Sequence, residues 1–199
     1  MFVQIIEGQV ADAAEMQRLT ERWDRELRPG AAGFLGSTGG VTSEGMAIEI
    51  VRFESLEAAQ ANAARPEQGA WWAEMEACFD GDITFTDSED VEQFLGGGSN
   101  SAGYVQVMKE TGLDRAIMAE LDDVLASTAP EARPELIGGL RIWTGPESGY
   151  NVIYFTSHEA ARAGEAADAM AEAAPQVTEH LAALRSNTQF LDLTDPWTS

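Results

Sequence analysis

The sequence predicts an α+β protein made of two tandem ferredoxin-like repeats, each with the element order βαββαβ. Residues 53–59 read FESLEAA, and residues 155–161, 102 positions later, read FTSHEAA. The opening segments FVQII at Phe2 and YVQVM at Tyr104 have the same spacing. A glycine- and serine-rich segment, GGGSNSAG at 96–103, lies between the two copies. Because unrelated coincidences would not share one spacing, we interpret the chain as an internal duplication.

The first repeat begins with MFVQIIEGQV, a β-rich segment with the length of one strand. Asp12 precedes Glu15 by three residues, a spacing typical of a helix N-cap and its reciprocal partner. The helix that follows carries one apolar stripe: Met16, Leu19, Trp23 and Leu27. Pro29 and Gly30 end this helix.

Two strands, at 33–42 and 46–53, are predicted next, joined by a polar turn. Ser55 then caps a second helix inside the repeated phrase, and an acidic residue lies in its first turn. Pro66 interrupts this helix, and the segment 82–87 closes the repeat as a strand. The phrase recurs because the same junction recurs, a buried strand end followed by a capped helix.

The second repeat has the same order of elements. Asp114 and Ser157 cap its two helices, and Pro175 interrupts the second one. Its strands are predicted at 104–110, 136–144, 150–155 and 187–193. The resulting domain ranges are 1–95 for the first repeat, 96–102 for a Gly/Ser linker and 103–199 for the second repeat.

A βαββαβ unit carries both helices on one face of its sheet, and two units can cover the remaining faces by packing sheet to sheet. The opening strand, the hairpin ending in FESLEAA or FTSHEAA and the broken second helix resemble the dimeric α+β barrel superfamily, in its antibiotic biosynthesis monooxygenase-like branch. The resemblance covers nearly the whole chain, twice. It implies a fused pseudo-dimer that forms one barrel, with a ligand cleft between a sheet and its second helix. Members include cofactor-independent oxygenases of polycyclic phenols and haem-degrading enzymes.

The composition restricts the classes of partner. The formal net charge is −22, from 34 acidic and 12 basic residues, which disfavours nucleic acids and anionic membranes. Cys78 is the sole cysteine, so no internal disulfide forms and a reducing compartment is expected. The first residues do not resemble a signal peptide, and no stretch has the length of a membrane span. We expect a cytoplasmic protein, either a monomeric pseudo-dimer or a homodimer.

Histidines are too few and too badly placed for a haem or zinc site. In the haem-degrading members that the chain resembles, a Trp and a His follow the strand end. These positions correspond here to Asn62 and the neighbourhood of Trp72 in the first repeat, and the Trp position to Gly164 in the second. His158 falls in the first turn of a helix and His180 in mid-helix. We therefore expect no metal and no cofactor.

A cofactor-independent oxygenase requires an aromatic pocket and a polar group that orients an ionisable phenol. Asn62 and Trp72 are the candidate catalytic residues, and Trp71 is a candidate ligand contact. Adjacent helical side chains diverge by about 100°, so we expect only one of the two tryptophans to reach a cleft. Alternatively, both pack in the core.

Gln4 and Gln106 occupy equivalent positions in the two repeats. Their strand face is expected to point toward the interior between the sheets, where a buried amide requires partners. They would bond each other, contact a ligand or have a purely structural role. Tyr154, whose equivalent in the first repeat is Arg52, is a further candidate ligand contact.

Two functions are compatible with these residues. The first is an oxygenase-like enzyme that acts on an aromatic or polyketide-like small molecule. The second is a non-catalytic ligand-binding or structural barrel protein that has lost the chemistry. A cavity of about 300 Å³ or more with Asn62 or a tryptophan in its wall favours the first, and a filled interior favours the second.

Overall fold

The computed structural model describes residues 1–166, 179 and 182–199. Its strands are β1 Phe2–Val10, β2 Phe34–Val41, β3 Met46–Phe53, β4 Phe79–Ser88, β5 Val91–Phe94, β6 Tyr104–Thr111, β7 Leu136–Gly145, β8 Ser148–Phe155, β9 Thr188–Leu193 and β10 Trp197–Thr198. Its helices are α1 Ala13–Glu26, α2 Leu56–Ala63, α3 Pro66–Glu76, α4 Arg115–Ala132 and α5 His158–Ala166. Short 3-10 turns occupy Arg28–Gly30 and Arg185–Asn187. Pro175 and His180 lie outside the described residues.

The strands form two five-stranded antiparallel sheets that correspond strand by strand. The first has the order β10-β2-β3-β1-β4, and the second has the order β5-β7-β8-β6-β9. The predicted α+β class, with a tandem repeat of one topology, is therefore confirmed. Because β1 pairs with both β3 and β4, it is an inner strand, and its side chains alternate between the two faces of the sheet.

The chain divides into two compact units, one of residues 1–91 with 195–199 and one of residues 92–194. Each unit is completed by a strand from the end of the other predicted repeat. Strand β5, at the end of the first repeat, forms an edge of the second sheet, while β10, at the end of the second repeat, pairs with β2. Neither strand is among those predicted. The predicted domain ranges and the packing of one sheet on the other remain predictions.

The repeated phrase has the predicted structural meaning. The Ser55 hydroxyl accepts a hydrogen bond from the backbone N–H of Ala58 at 3.2 Å. The Ser157 hydroxyl accepts one from Ala160 N–H at 3.1 Å. Each serine therefore caps the helix that follows a buried strand end. Helix α3 begins at Pro66, where the sequence predicts the interruption, because a proline is tolerated in the first turn of a helix but not in its interior.

Among the described residues, each unit buries a larger and a smaller apolar cluster. In the first unit the buried members of the larger cluster are Met16, Leu19, Ala47, Met75 and Cys78. In the second unit they are Phe94, Leu113, Met118, Leu121, Leu125, Trp143 and Leu184. Within the described part of the chain, none of the helices is long and apolar enough to cross a membrane.

Candidate functional site

A cavity of about 440 Å³ lies in the first unit, between the helices and the face of the sheet that they cover. The alternate residues Phe2, Gln4 and Ile6 of β1 line it, β3 contributes residues between Ala47 and Phe53, and α1, α2 and α3 enclose it. Trp197 of β10 closes one side, and it packs against the same apolar cluster as Trp72. All of the described residues that line the cavity belong to the first unit.

Tryptophans form much of the cavity wall. The indole N–H of Trp71 donates to the Leu19 carbonyl at 2.8 Å, and that of Trp23 donates to Gln68 Oε1 at 2.7 Å. These bonds fix both rings in place, so their ring faces are the surfaces that can contact a ligand. The wall is thus apolar and rigid, which suits a planar aromatic molecule.

Both of the adjacent tryptophans line the cavity, so the expectation that only one would reach it is wrong. Their ring centroids are 6.2 Å apart and the planes are inclined by 50°. Trp71 turns toward α1, whereas Trp72 turns toward β4 and stacks edge-on against Phe85 at 5.5 Å. The divergence of neighbouring helical side chains is as expected. The cavity is wide enough to contact both.

Asn62 is buried and lines the cavity from α2. Its carbonyl oxygen Oδ1 accepts a hydrogen bond from Arg65 Nη1 at 2.8 Å. Arg65 Nη1 also donates to the Leu27 carbonyl at 3.0 Å, which anchors the pair to the end of α1. With Oδ1 engaged, the amide nitrogen is the Asn62 group that can donate to a ligand oxygen.

Gln4 lines the cavity from β1, together with Asp87 of β4. The Gln4 amide nitrogen donates to Asp87 Oδ1 at 2.9 Å, and the two residues are direct neighbours across the strands. The interpretation that Gln4 faces the interior between the sheets is therefore wrong. It lies on the helix-covered face, because the alternation along β1 places Phe2, Gln4 and Ile6 together on that side.

Glu49 brings a carboxylate into the cavity from the middle of β3. Burial raises its pKa from 4.5 to about 7, a hydrogen bond from the Ser37 hydroxyl opposes this rise, and the charge of Asp24 adds to it. The Ser37 hydroxyl in turn lies 2.9 Å from that of Ser199. A carboxyl group with a pKa near neutrality can exchange a proton with a bound molecule at physiological pH.

The equivalent positions in the second unit are filled by a buried ion network. Arg141 and Asn151 take the places of Gly39 and Glu49, with the same pairing across two strands. The Arg141 guanidinium is 1% exposed and donates to Asp122 at 2.7 and 2.9 Å and to Asn151 Oδ1 at 2.9 Å. A long charged side chain therefore occupies the space that Gly39 leaves open in the first unit.

A second network closes the other end of this region in the second unit. Arg162, the equivalent of Gln60, donates to the Tyr104 hydroxyl at 3.1 Å and to Asp192 Oδ2 at 2.7 Å. Burial and the neighbouring Asp192 raise the pKa of the Tyr104 hydroxyl, so it stays protonated. Gln106 completes the network, since its amide nitrogen contacts Asp192 Oδ1 at 3.2 Å and the Tyr104 hydroxyl at 3.3 Å.

Comparisons with known proteins agree with this architecture. No model of a protein family matches the sequence, and no curated protein does either. A candidate monooxygenase from Lactobacillus acidophilus has a similar structure, with TM-score 0.71, 12% identity, and 100% of this chain and 98% of that chain covered. A candidate monooxygenase from Fusobacterium nucleatum gives TM-score 0.70 and 9% identity over 96% and 90% of the two chains. An anthrone oxidase-like protein gives TM-score 0.60 and 13% identity over 99% and 92%. The chain therefore shares the fold of these proteins over nearly its whole length.

The structure brings four of the predicted site residues together in the first unit. Gln4, Asn62, Trp71 and Trp72 all line the cavity. Gln106 and Tyr154 belong to the other unit and do not line it. Tyr154 is fully buried in β8. The role of these residues in ligand binding remains a prediction.

Several site residues are absent from the predicted set. Glu49 had a sequence signal, because the alternation along MAIEIVRF places it on the same face as Ala47 and Phe53. A carboxylate on an apolar face is unusual and marks a functional position or a buried pair. Trp197 had no such signal, since it belongs to a strand at the end of the second repeat and reaches the cavity by pairing with β2.

No three His, Cys, Asp or Glu side chains converge as a metal site would require within the residues that the structure describes. His158 stacks on Tyr104 with ring centroids 4.9 Å apart and accepts a hydrogen bond from Arg162 Nε at 3.2 Å. These contacts give His158 a place in the polar network of the second unit.

Proposed function

We propose that the first unit is the active unit of a cofactor-independent oxygenase-like enzyme that acts on a planar aromatic or polyketide-like molecule. The observation that carries this proposal is the cavity of about 440 Å³, walled by tryptophans and holding a few polar groups. Its volume falls within the range of small-molecule sites, about 300–1,000 Å³. It also meets the criterion set from the sequence, a cavity with Asn62 or a tryptophan in its wall.

The arrangement of apolar and polar groups supports an aromatic substrate that carries oxygen substituents. Trp71 and Trp72 offer ring surfaces, while the amide nitrogen of Asn62 is a donor for a ligand oxygen. The Gln4–Asp87 pair provides a second polar contact at the β4 edge. Sites of this type bind mainly through apolar area and use their few polar groups to set orientation.

The reaction that suits this cavity is the oxidation of an anthrone-type methylene by dioxygen. Loss of a methylene proton gives an electron-rich enolate, whose oxygen Asn62 would stabilise. Dioxygen then oxidises the carbon to a carbonyl and is itself reduced, so that one oxygen atom enters the quinone and the other leaves as water. The similarity in fold to an anthrone oxidase-like protein supports this choice of substrate class.

Oxygen uptake with the commercially available anthrone dithranol tests the proposal. We expect the wild type to accelerate uptake and Trp72→Ala to lose at least about tenfold of the rate, with Trp72→Phe intermediate. Phe85 and Phe190 occupy equivalent edge-strand positions in the two repeats and are 49% and 50% exposed. They therefore serve as a test position and its control. Phe85→Ala should slow uptake because Phe85 lines the cavity, whereas Phe190→Ala should not.

A binding measurement beside the oxygen-uptake assay distinguishes the enzyme from the alternative, a binding protein without chemistry. Quenching of tryptophan fluorescence by 1,8-dihydroxyanthraquinone, a stable product analogue, reports binding alone. Tight binding without any oxygen uptake would exclude the enzyme and support the non-catalytic function. Neither binding nor uptake across a panel of phenols and anthrones would exclude both.

A further inference from the structure

Glu49 is a carboxylate placed inside the aromatic cavity. It projects from β3 onto the helix-covered face of the sheet, where the other β3 side chains, Ala47, Val51 and Phe53, are apolar. Among the described residues, none of those that line the cavity is an arginine, lysine or histidine. Glu49 is half-buried, and a carboxylate held against an apolar wall is normally paired with a cation, so its position needs an explanation.

We infer that Glu49 is the proton acceptor of this cavity, and that its carboxylate takes the proton from the acidic C–H or hydroxyl group of the bound aromatic molecule. The inference rests on the proposed function of the first unit and adds to it the residue that performs the first chemical step. None of the predicted site residues that line the cavity can take this role, because amides and indoles do not accept a proton at neutral pH.

The backbone creates the space for this carboxylate. Glu49 lies directly opposite Gly39 of β2, and a Cβ atom at position 39 would overlap the Glu49 carboxylate. The Ser37 hydroxyl donates a hydrogen bond to that carboxylate and is itself held near the Ser199 hydroxyl. The glycine thus provides room, and the serine fixes the orientation of the group.

Desolvation, the Ser37 hydrogen bond and one neighbouring charge together set the pKa of Glu49. Asp24 on α1 is the charged group whose field acts on it, and Asp87 on β4 faces the same cavity, bonded to Gln4. Helices α2 and α3 contribute only neutral groups to the wall. Desolvation and the Asp24 charge raise the Glu49 pKa to about 7, while the Ser37 hydrogen bond lowers it.

The step is a simple proton transfer. A Glu49 carboxylate oxygen forms the new O–H bond while the substrate C–H bond breaks, and its electron pair stays on the substrate as an enolate. Asn62 donates to the enolate oxygen. The proton later leaves Glu49 for the oxygen that is released as water. No electrons are exchanged with Glu49, and dioxygen is the oxidant of the subsequent step.

The second unit shows what the same position looks like without this function. Asn151 replaces Glu49, and its Oδ1 accepts from Arg141 at 2.9 Å. An amide bonded to a guanidinium cannot accept a proton from a ligand, and the arginine fills the space above it. Glu49 can therefore exchange a proton with a bound molecule, whereas Asn151 is held in a structural contact with Arg141.

Anaerobic hydrogen–deuterium exchange isolates the proton transfer from the oxygen chemistry. Dithranol is incubated with the protein in deuterated buffer without oxygen, and incorporation at its methylene carbon is followed by mass spectrometry. We expect the wild type to accelerate exchange over the buffer, with a rate that rises through about pH 7. Glu49→Gln should reduce the acceleration about 100-fold, and the exposed control Glu44→Gln should not.

Ser37→Ala distinguishes a proton acceptor from a purely structural Glu49, because only a proton acceptor would set the pH profile of exchange. Removing the hydrogen bond that lowers the Glu49 pKa should shift the pH profile of exchange to higher pH. Quenching by 1,8-dihydroxyanthraquinone checks that Glu49→Gln still folds and binds. Exchange as fast in Glu49→Gln as in the wild type overturns the inference.

The two proposals fail in different ways. Oxygen uptake that survives Glu49→Gln with unchanged rate and pH profile leaves the oxygenase function standing and removes Glu49 from it. Exchange that depends on Glu49 without oxygen uptake supports Glu49 as the base and excludes the oxygenase. A wild type that accelerates neither reaction overturns both.

Discussion

The carboxylate of Glu49 lies over the α-carbon of Gly39 on the neighbouring strand, in the space where any other residue at position 39 would place its side chain. The position of the carboxylate in the cavity therefore depends on a glycine in β2. The glycine has no side chain, so the carboxylate is accommodated beside the strand and stays in the apolar interior, where its pKa rises to about 7.

Gly39→Ala should therefore destabilise the first unit and disturb the cavity together. The added methyl group would overlap the Glu49 carboxylate and lie 3.0 Å from the Ile48 carbonyl oxygen. We expect a loss of about 1–3 kcal/mol in the free energy of unfolding, the usual cost of overpacking. Urea denaturation followed by fluorescence measures it.

Gly69→Ala is the matched control for this substitution. A Cβ atom at position 69, on helix α3, would meet nothing within 4 Å. The same chemical change should here increase stability by about 0.5–1 kcal/mol, because alanine favours the helix more than glycine does. Equal losses in both variants would show that Gly39 has no special place in the structure.

The stability of the wild type should fall between pH 4.5 and pH 7. The Glu49 pKa is 4.5 in the unfolded chain and about 7 in the folded one, so the folded protein binds the proton more tightly in this interval. The unfolding free energy then decreases as pH rises, by about 3 kcal/mol in total. Glu49→Gln lacks this contribution, so it should match the wild type near pH 4 and exceed its melting temperature at pH 8. A difference between the two proteins that does not vary with pH contradicts the raised pKa.

Arg141→Ala should destabilise the second unit strongly. The guanidinium bonds Asp122, Asn151 and Glu92 while it is almost fully buried, so its removal leaves these partners without their donor. Breaking a buried pair from one side costs about 3–5 kcal/mol. Chemical denaturation of the variant measures the loss.

Arg162→Ala is the comparison, because the Arg162 side chain is 42% exposed although it also makes ion pairs, with Glu165 and Asp192. Exposed pairs contribute about 1 kcal/mol or less. A cost of similar size in both variants would show that burial of Arg141 adds nothing to its network.

Trp197→Ala should weaken the first unit even though Trp197 lies at the end of the second repeat in sequence. It pairs with Gly39 on β2, lines the cavity and packs against the apolar cluster of this unit. We expect a loss of about 2–3 kcal/mol, less than for a fully buried tryptophan, and weaker quenching by the anthraquinone. Asp195→Ala, at an exposed position of the same segment, should be nearly neutral. Unchanged binding in Trp197→Ala would separate β10 from the site.

Local signals were sufficient for the elements of each repeat. Caps at Asp12, Ser55 and Ser157, the interruption at Pro66 and the alternation along β1 and β3 each depend on residues close in sequence. The short edge strands were not predictable in the same way. Strands β5 and β10 contain few residues, and each forms only because a distant strand offers an unpaired edge.

In the candidate site, too, some features follow from residues close in sequence and others from contacts between distant segments. Asn62 and the tryptophan pair follow from one helix and its break, whereas the pairing of Gln4 with Asp87 joins residues 83 positions apart. The sequence by itself determined that one βαββαβ design is written twice, because strand alternation, caps and helix breaks act over a few residues. Only the tertiary structure decided what surrounds position 49 and its equivalent, where Gly39 faces Glu49 and Arg141 faces Asn151 from the neighbouring strand. The physical reason is that the volume of a site is set by packing between segments distant in sequence.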